Sequence, residues 1–173
     1  MVFFSMTAFA ASVRYDRATF AGGCFWCMEP AFDNLNGVVK IEVGYMGGKT
    51  KNPTYEEVST GKTGYREVAQ ITYDPSRISY EKLLNTFFMN VDPTDTGGQF
   101  ADRGSQYKTA VYYHNEEQKK IAEESRQKLD ESGLYDKPVS VDILKAGDFY
   151  KAEEYHQGYY RKNPVRYNLY KQG

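Results

Sequence analysis

A diglycine between a strand and a helix is the tightest constraint on what this chain can become. Residues 17–21 read as a short strand that Gly22-Gly23 closes. Cys24 then opens a segment to residue 34, with Phe25, Met28 and Phe32 near helical spacing. A helix that begins straight after such a turn leaves its first N–H groups without intrahelical partners. Those groups and the positive end of the helix dipole favour an anion, so a lowered thiol pKa is expected at Cys24. The glycines allow the tight turn and are expected to leave the backbone open to a substrate. Cys27 follows three positions later on the same helical face, where the two thiols can reach disulfide geometry with modest movement. A lone Cys is more often a buried small hydrophobe; the strand, diglycine and helix setting favours a reactive one. Pro30 removes a backbone donor and is expected to kink or limit the helix.

Further on, residues 38–45 and 67–73 have strand-like β-branched patterns. A short helix is expected at 55–59, and another from a Ser79 N-cap to about Met89, burying Leu83, Leu84, Phe87 and Phe88. Residues 91–106, with Asp92-Pro93, Gly97-Gly98 and Gly104, form a loop long enough to suggest function. A strand at 107–113, a charged helix at 116–131, a strand at 139–144 and a short helix at 149–158 follow. The tyrosine-rich tail carries no assigned element. Few helices and long loops predict a two-layer α+β sandwich with a mixed or antiparallel sheet, in preference to a doubly wound parallel one.

The 173 residues suit one domain, expected to span 17–173 after an N-terminal apolar arm or signal-peptide remnant over 1–16. Within that arm, Ala8-Phe9-Ala10 resembles a cleavage site, but no basic region precedes it. The compartment is thus cytoplasmic or exported, with the apolar start leaning toward export. Only 2 Cys are present, which excludes a disulfide framework, and His114 and His156 are too far apart for zinc-finger spacing. A net charge of -1 with interspersed signs gives no footprint for nucleic acid or an anionic membrane. Among 16 Tyr, many can line a pocket that is both apolar and hydrogen-bonding.

Gly22-Gly23-Cys24-Phe25-Trp26 resembles the signature of the methionine sulfoxide reductase A family, the peptide-methionine (S)-S-oxide reductases. Gly44-Tyr45-Met46-Gly47-Gly48, Asn52-Pro53-Thr54-Tyr55-Glu56-Glu57-Val58 and residues 61–68 continue the resemblance in register. So do Asp92-Pro93, Asp102-Arg103-Gly104-Ser105-Gln106-Tyr107, Ala152-Glu153-Glu154-Tyr155-His156-Gln157 and Lys162-Asn163-Pro164. It covers nearly all of 19–167 and implies a ferredoxin-like α+β sandwich.

The resemblance also implies roles. Cys24 is the nucleophile that attacks the sulfoxide sulfur of the S epimer, in protein-bound or free methionine sulfoxide. Glu67 is the proton donor, which requires burial so that it stays protonated near neutral pH; its neighbour Arg66 must point elsewhere. By itself Glu67 reads as a solvated carboxylate at a strand end. Tyr55 and Tyr107 hold the sulfoxide oxygen with their hydroxyls. Asp102 is a buried carboxylate that orients the site, although beside Arg103 and Gly104 it equally suits a turn. Phe25 and Trp26 form the pocket for the S-methyl group. His156 reads as a hydrogen-bonded structural residue and His114 as a surface one. No bound cofactor or metal is implied; the external reductant is thioredoxin or another dithiol, and the protein is expected to be a monomer with no membrane partner.

The chain departs from the family pattern in lacking a cysteine after Cys27, where many relatives carry a recycling one. Many also carry Gly at the position of Cys27. Cys27 is therefore expected to condense with a Cys24 sulfenic acid to a disulfide, against the alternative of a packed helix residue with an external thiol resolving the sulfenic acid. Tyr65 and Val91 stand where relatives commonly have His. The rival readings are a thioredoxin-type thiol–disulfide oxidoreductase, a thiol- or metal-dependent binding module, and a B-type sulfoxide reductase, whose paired Cys-x-x-Cys metal motifs are missing.

Overall fold

The computed structural model describes residues 14–172. The apolar run at the N-terminus, with Ala8-Phe9-Ala10, lies outside the described residues. The chain runs β1 (Asp16–Ala21), α1 (Phe25–Asp33), β2 (Val38–Met46), α2 (Tyr55–Ser59), β3 (Arg66–Tyr73) and α3 (Tyr80–Phe88). Then come β4 (Gly98–Gln99), β5 (Asp102–Arg103), β6 (Ala110–Tyr113), α4 (Glu116–Glu131), β7 (Asp142–Lys145) and β8 (Tyr150–Lys151). Two helices, α5 (Tyr159–Lys162) and α6 (Pro164–Gln172), end it.

The main sheet has the order β7-β6-β1-β3-β2-β8. All its pairs are antiparallel except β6 with β7. That parallel pair needs a crossover, which α4 supplies. The inner strands β6-β1-β3-β2, with α1 joining β1 to β2 and α3 lying between β3 and β6, make a ferredoxin-like βαββαβ unit. The expected two-layer α+β sandwich with a mixed sheet is what forms. β4 and β5 pair separately within the long loop.

Strand alternation divides the side chains between two faces. Ala18 and Phe20 of β1 and Ala69, Ile71 and Tyr73 of β3 pack with Met28 and Phe32 of α1, Leu83, Leu84 and Phe87 of α3, and Ala122 of α4. Phe20 is the hub, its ring stacked on Phe32 at 5.6 Å and on Phe87 at 5.1 Å between centroids. Ala21, Met46, Val68, Ala110 and Tyr112 fill the opposite face beneath Ala146 and Phe149. Glu67 shares the odd-numbered, helix-covered face of β3, above the start of α1. Arg66 faces away, with Nη1 donating to the Thr109 carbonyl at 2.8 Å and Nη2 paired with Asp142.

Two local expectations are corrected, α1 passes through Pro30, and the unassigned tail takes on structure. α1 continues through Pro30 to Asp33, losing one backbone bond without ending. The strand expected at 107–113 starts only at Ala110, because Gly104, at φ 134°, turns the chain into a single 3₁₀ turn over Ser105–Tyr107. The helix expected at 149–158 is instead β8 followed by a 3₁₀ turn at Glu154–His156. Its backbone is drawn to the edge of β2, where a Cβ on Gly44 would come within 2.3 Å of the Tyr150 carbonyl oxygen. Gln157 completes the join, accepting from the Val43 N–H and donating to the Val43 and Ala152 carbonyls. Finally, the tail is helical: α6 opens on Pro164, a residue suited to a first helical turn.

Candidate active site

Cys24 is the N-cap of α1, with φ −61° and ψ 123°, and its carbonyl accepts from the Cys27 and Met28 N–H groups. The preceding glycines are packed. A Cβ on Gly22 would lie 2.3 Å from Met28 Sδ, and one on Gly23, at φ 85°, would lie 2.6 Å from Gln99 Cβ. They are there for close packing and the turn, so the open backbone expected at the glycines is not found. Val91, in a position where relatives often have His, packs beside Gly22. Tyr65, at the other such position, is buried with its hydroxyl on the Thr50 carbonyl.

Glu67 is 2% exposed, and its Oε2 accepts the Phe25 N–H at 3.0 Å. Burial pushes its carboxyl up to about 8; the Phe25 bond opposes that rise, while the charges of Asp102 and Cys27 reinforce it. At neutral pH the group therefore holds a proton, unlike a carboxylate left in solvent at a strand end.

The thiols do not follow the simple helix-terminus expectation. Cys24, 8% exposed, is pushed up by its hydrogen bond with Cys27, by burial and by the Glu67 charge; a hydrogen bond from Tyr170 opposes this. The first N–H of the helix is committed to Glu67 instead of the sulfur. The same hydrogen bond lowers Cys27, which is also helped by Lys171 and Tyr167. Of the two thiols, Cys27 is therefore the more readily ionised. Cys27, half-buried, faces a groove of about 430 Å³ whose lining includes Met89, Phe100, Asp102 and Tyr170.

Tyr55 begins α2, a five-residue helix held by a capping box between Thr54 and Glu57. Tyr107 closes the 3₁₀ turn of the long loop. Burial foremost, and then the Glu67 charge, raise both phenols, and Cys24 acts on each. Both therefore stay protonated donors beside Glu67 and Cys24. Asp102 is half-buried on β5 and accepts the Tyr170 hydroxyl. Phe25 is buried against Tyr45, with ring centroids 6.0 Å apart. Trp26 lies flat on Tyr159 at 3.7 Å and donates its indole N–H to His156 Nδ1 at 3.0 Å. Glu67 is bonded to Phe25 at the first turn of α1, Cys27 and Asp102 line one groove, and Tyr55 and Tyr107 lie close enough to feel the charges of Glu67 and Cys24.

Local patterns did not point to Glu153, Tyr167 and Tyr170. Glu153 accepts the Tyr45 hydroxyl at 2.8 Å and the Tyr55 N–H at 2.9 Å, tying β2 to α2. Tyr167 and Tyr170 reach the thiols from α6, which only the three-dimensional return of the tail makes possible. Glu29, buried inside α1, anchors that return by accepting the Gly158 N–H at 3.0 Å. His114 is exposed, as expected, and bonds to Thr19 Oγ1.

A thiol pair beside a buried, protonated carboxyl on this fold defines the class of thiol-dependent oxidoreductases. Residues 16–173 match the sequence model of the family described as peptide methionine sulfoxide reductase, and the chain belongs to that family. It is 58% identical over 160 residues to peptide methionine sulfoxide reductase MsrA of Bacillus licheniformis, covering 92% of this chain and 88% of that one. The fold is similar to that of Mxr1 from Saccharomyces cerevisiae in reduced form, with a TM-score of 0.81 and 32% identity over 94% of this chain and 93% of that one. It is also similar to Mxr1 in complex with Trx2, with a TM-score of 0.56 and 26% identity over 90% of this chain and 92% of that one. The chain is accordingly a methionine sulfoxide-reducing enzyme, and the thioredoxin-type and B-type readings fall away. Among the described residues, no helix is long and apolar enough to cross a membrane.

Proposed function

We propose that residues 17–173 act as one catalytic domain that reduces the S epimer of methionine sulfoxide, in proteins or free, to methionine through Cys24. The observation that carries this reading is the buried Glu67 carboxyl, protonated at neutral pH beside the Cys24 thiol. The Cys24 thiol releases its proton to solvent, and the Cys24 sulfur attacks the sulfoxide sulfur. Glu67 gives its proton to the sulfoxide oxygen as Tyr55 and Tyr107 hold that oxygen by hydrogen bonds. Phe25 and Trp26 receive the S-methyl group, and Asp102 orients the site. The substrate S–O bond then breaks as its protonated oxygen passes to the Cys24 sulfur. The bond between the two sulfurs breaks with it, leaving a sulfenic acid on Cys24 and releasing methionine.

Cys27 then attacks the Cys24 sulfur; the sulfenic oxygen departs as water and a Cys24–Cys27 disulfide forms. Its place one helical turn away, with its N–H on the Cys24 carbonyl at 3.0 Å, supports this role over that of a packed helix residue. A dithiol returns both sulfurs to thiols by exchange. Thioredoxin is the proposed reductant, since the yeast relative is solved in complex with Trx2. No bound cofactor enters the cycle, and the enzyme works as a monomer.

Reduction of separated S and R epimers with thioredoxin tests the reading. Turnover of the S epimer alone is expected; turnover of only the R epimer would overturn it.

A further inference from the structure

Trp26 is the one tryptophan of the chain, and its indole is fixed on two sides. Tyr159 of α5 lies under it, nearly parallel at 7°. In the ring plane, the indole N–H meets His156 Nδ1 at 3.0 Å. An indole nitrogen only donates, so Nδ1 is an acceptor and the imidazole proton sits on Nε2. His156 is 1% exposed and held among the rings of Tyr155 at 4.1 Å, Tyr55 at 4.5 Å and Phe25 at 5.0 Å. Among the described residues its Nε2 has no hydrogen-bond partner; the nearest carboxylate is Glu153 Oε2 at 3.9 Å. Of the two ring nitrogens, only the one on Trp26 is engaged. A buried imidazole left half-satisfied is a cost that its one specific contact must justify.

We propose that His156 is a positioning residue for the reaction: it accepts the Trp26 indole N–H and thereby sets the plane of the wall that meets the substrate methyl group. This rests on the reading of Trp26 as that wall. Stacking on Tyr159 fixes the tilt of the indole but lets it slide and rotate in plane; a hydrogen bond in the plane removes that freedom. Glu153, adjacent to His156 on one side and bonded to the Tyr55 N–H on the other, places the methyl wall and the oxygen-holding tyrosine on one frame. His156 has no role in proton transfer to the substrate.

His156→Leu and His156→Asn are nearly isosteric, and only Asn offers an acceptor where Nδ1 lies. In single-turnover reduction of a methionine sulfoxide peptide, His156→Leu is expected to raise the half-saturating substrate concentration about tenfold. Its maximal rate should change less than about threefold, as expected when binding and not a transition-state contact is lost. His156→Asn is expected to restore saturation, and in a Trp26→Phe background the difference between Leu and Asn should vanish. Emission of the lone tryptophan reports the bond directly: acrylamide quenching rises in His156→Leu and not in His156→Asn. On the unaltered protein, the single indole N–H resonance should be protected from solvent exchange. Equal saturation and quenching in the Leu and Asn variants, or a fast-exchanging indole N–H in the unaltered protein, would overturn the proposal. If Trp26→Phe alone leaves saturation unchanged while the quenching difference persists, the wall reading fails and the His156–Trp26 bond stands.

Discussion

The Phe25 N–H donates to Glu67 Oε2 at 3.0 Å, so the first free donor of α1 serves the carboxyl and not the Cys24 sulfur. One oxygen of Glu67 is thereby oriented and the other is left to carry the proton that burial favours. The helix terminus and the strand β3 thus build an acid beside a thiol, where the sequence alone suggested an activated thiolate.

Removing that acid should act on chemistry. Glu67→Gln is expected to lower the single-turnover rate by about 10²- to 10⁴-fold, the usual contribution of a positioned general acid. Rapid-quench measurement of methionine formed per enzyme checks this; a rate within about threefold of the unaltered protein would remove Glu67 from the mechanism.

Glu67 should also shape the pH dependence of stability. Its folded value of about 8 lies above the ordinary 4.5, so the folded state binds the proton more tightly. The resulting stabilisation is complete below about 4.5, declines as pH rises and is lost above about 8. Denaturant unfolding of Glu67→Gln should lack this decline. An identical slope in both proteins would contradict the burial argument.

Much of this arrangement could be read from the chain. The strand–diglycine–Cys–helix run, the Ser79 cap and the apolar spacing of α3 depend on neighbours in sequence, and they appear where expected. Glu67 and Arg66 separated to opposite faces because a strand alternates its side chains. The misreadings have a shared cause. β8, the Glu154–His156 turn and α6 owe their form to partners more than 100 residues away, such as Val43 for Gln157 and Glu29 for Gly158. Local periodicity carries no such information. The upward shift of Cys24 comes first from its neighbour Cys27; burial and the Glu67 charge, which add to it, were hidden for the same reason.

Tyr55 and Tyr107 are expected to act as preorganised donors. Tyr55→Phe and Tyr107→Phe should each slow single turnover by about 10²-fold, and the double variant should lose more than either alone. Far-UV circular dichroism should stay unchanged. If the double variant keeps a rate near that of the unaltered protein, the oxygen is held elsewhere.

Phe20 tests the core that supports the site. Phe20→Ala removes a ring stacked on Phe32 and Phe87 and fully buried, and should cost about 3–5 kcal/mol in urea unfolding. A loss below about 1 kcal/mol would mean that the helix layer is held by other contacts.

Cys27→Ser separates oxygen transfer from recycling. One methionine per enzyme should still form at a rate within about tenfold of the unaltered protein, while turnover with thioredoxin should largely stop. Full thioredoxin turnover in this variant would assign resolution of the sulfenic acid to an external thiol.

The most direct measurement of the central claim is a rapid-quench reaction of Cys27→Ser with the S epimer in the absence of reductant, read by mass spectrometry with a sulfenic-acid trap. One methionine per enzyme, matched by one trapped sulfenic acid at Cys24, is the predicted result. Methionine formed without modification of Cys24, or formed equally by Cys24→Ser, would contradict it.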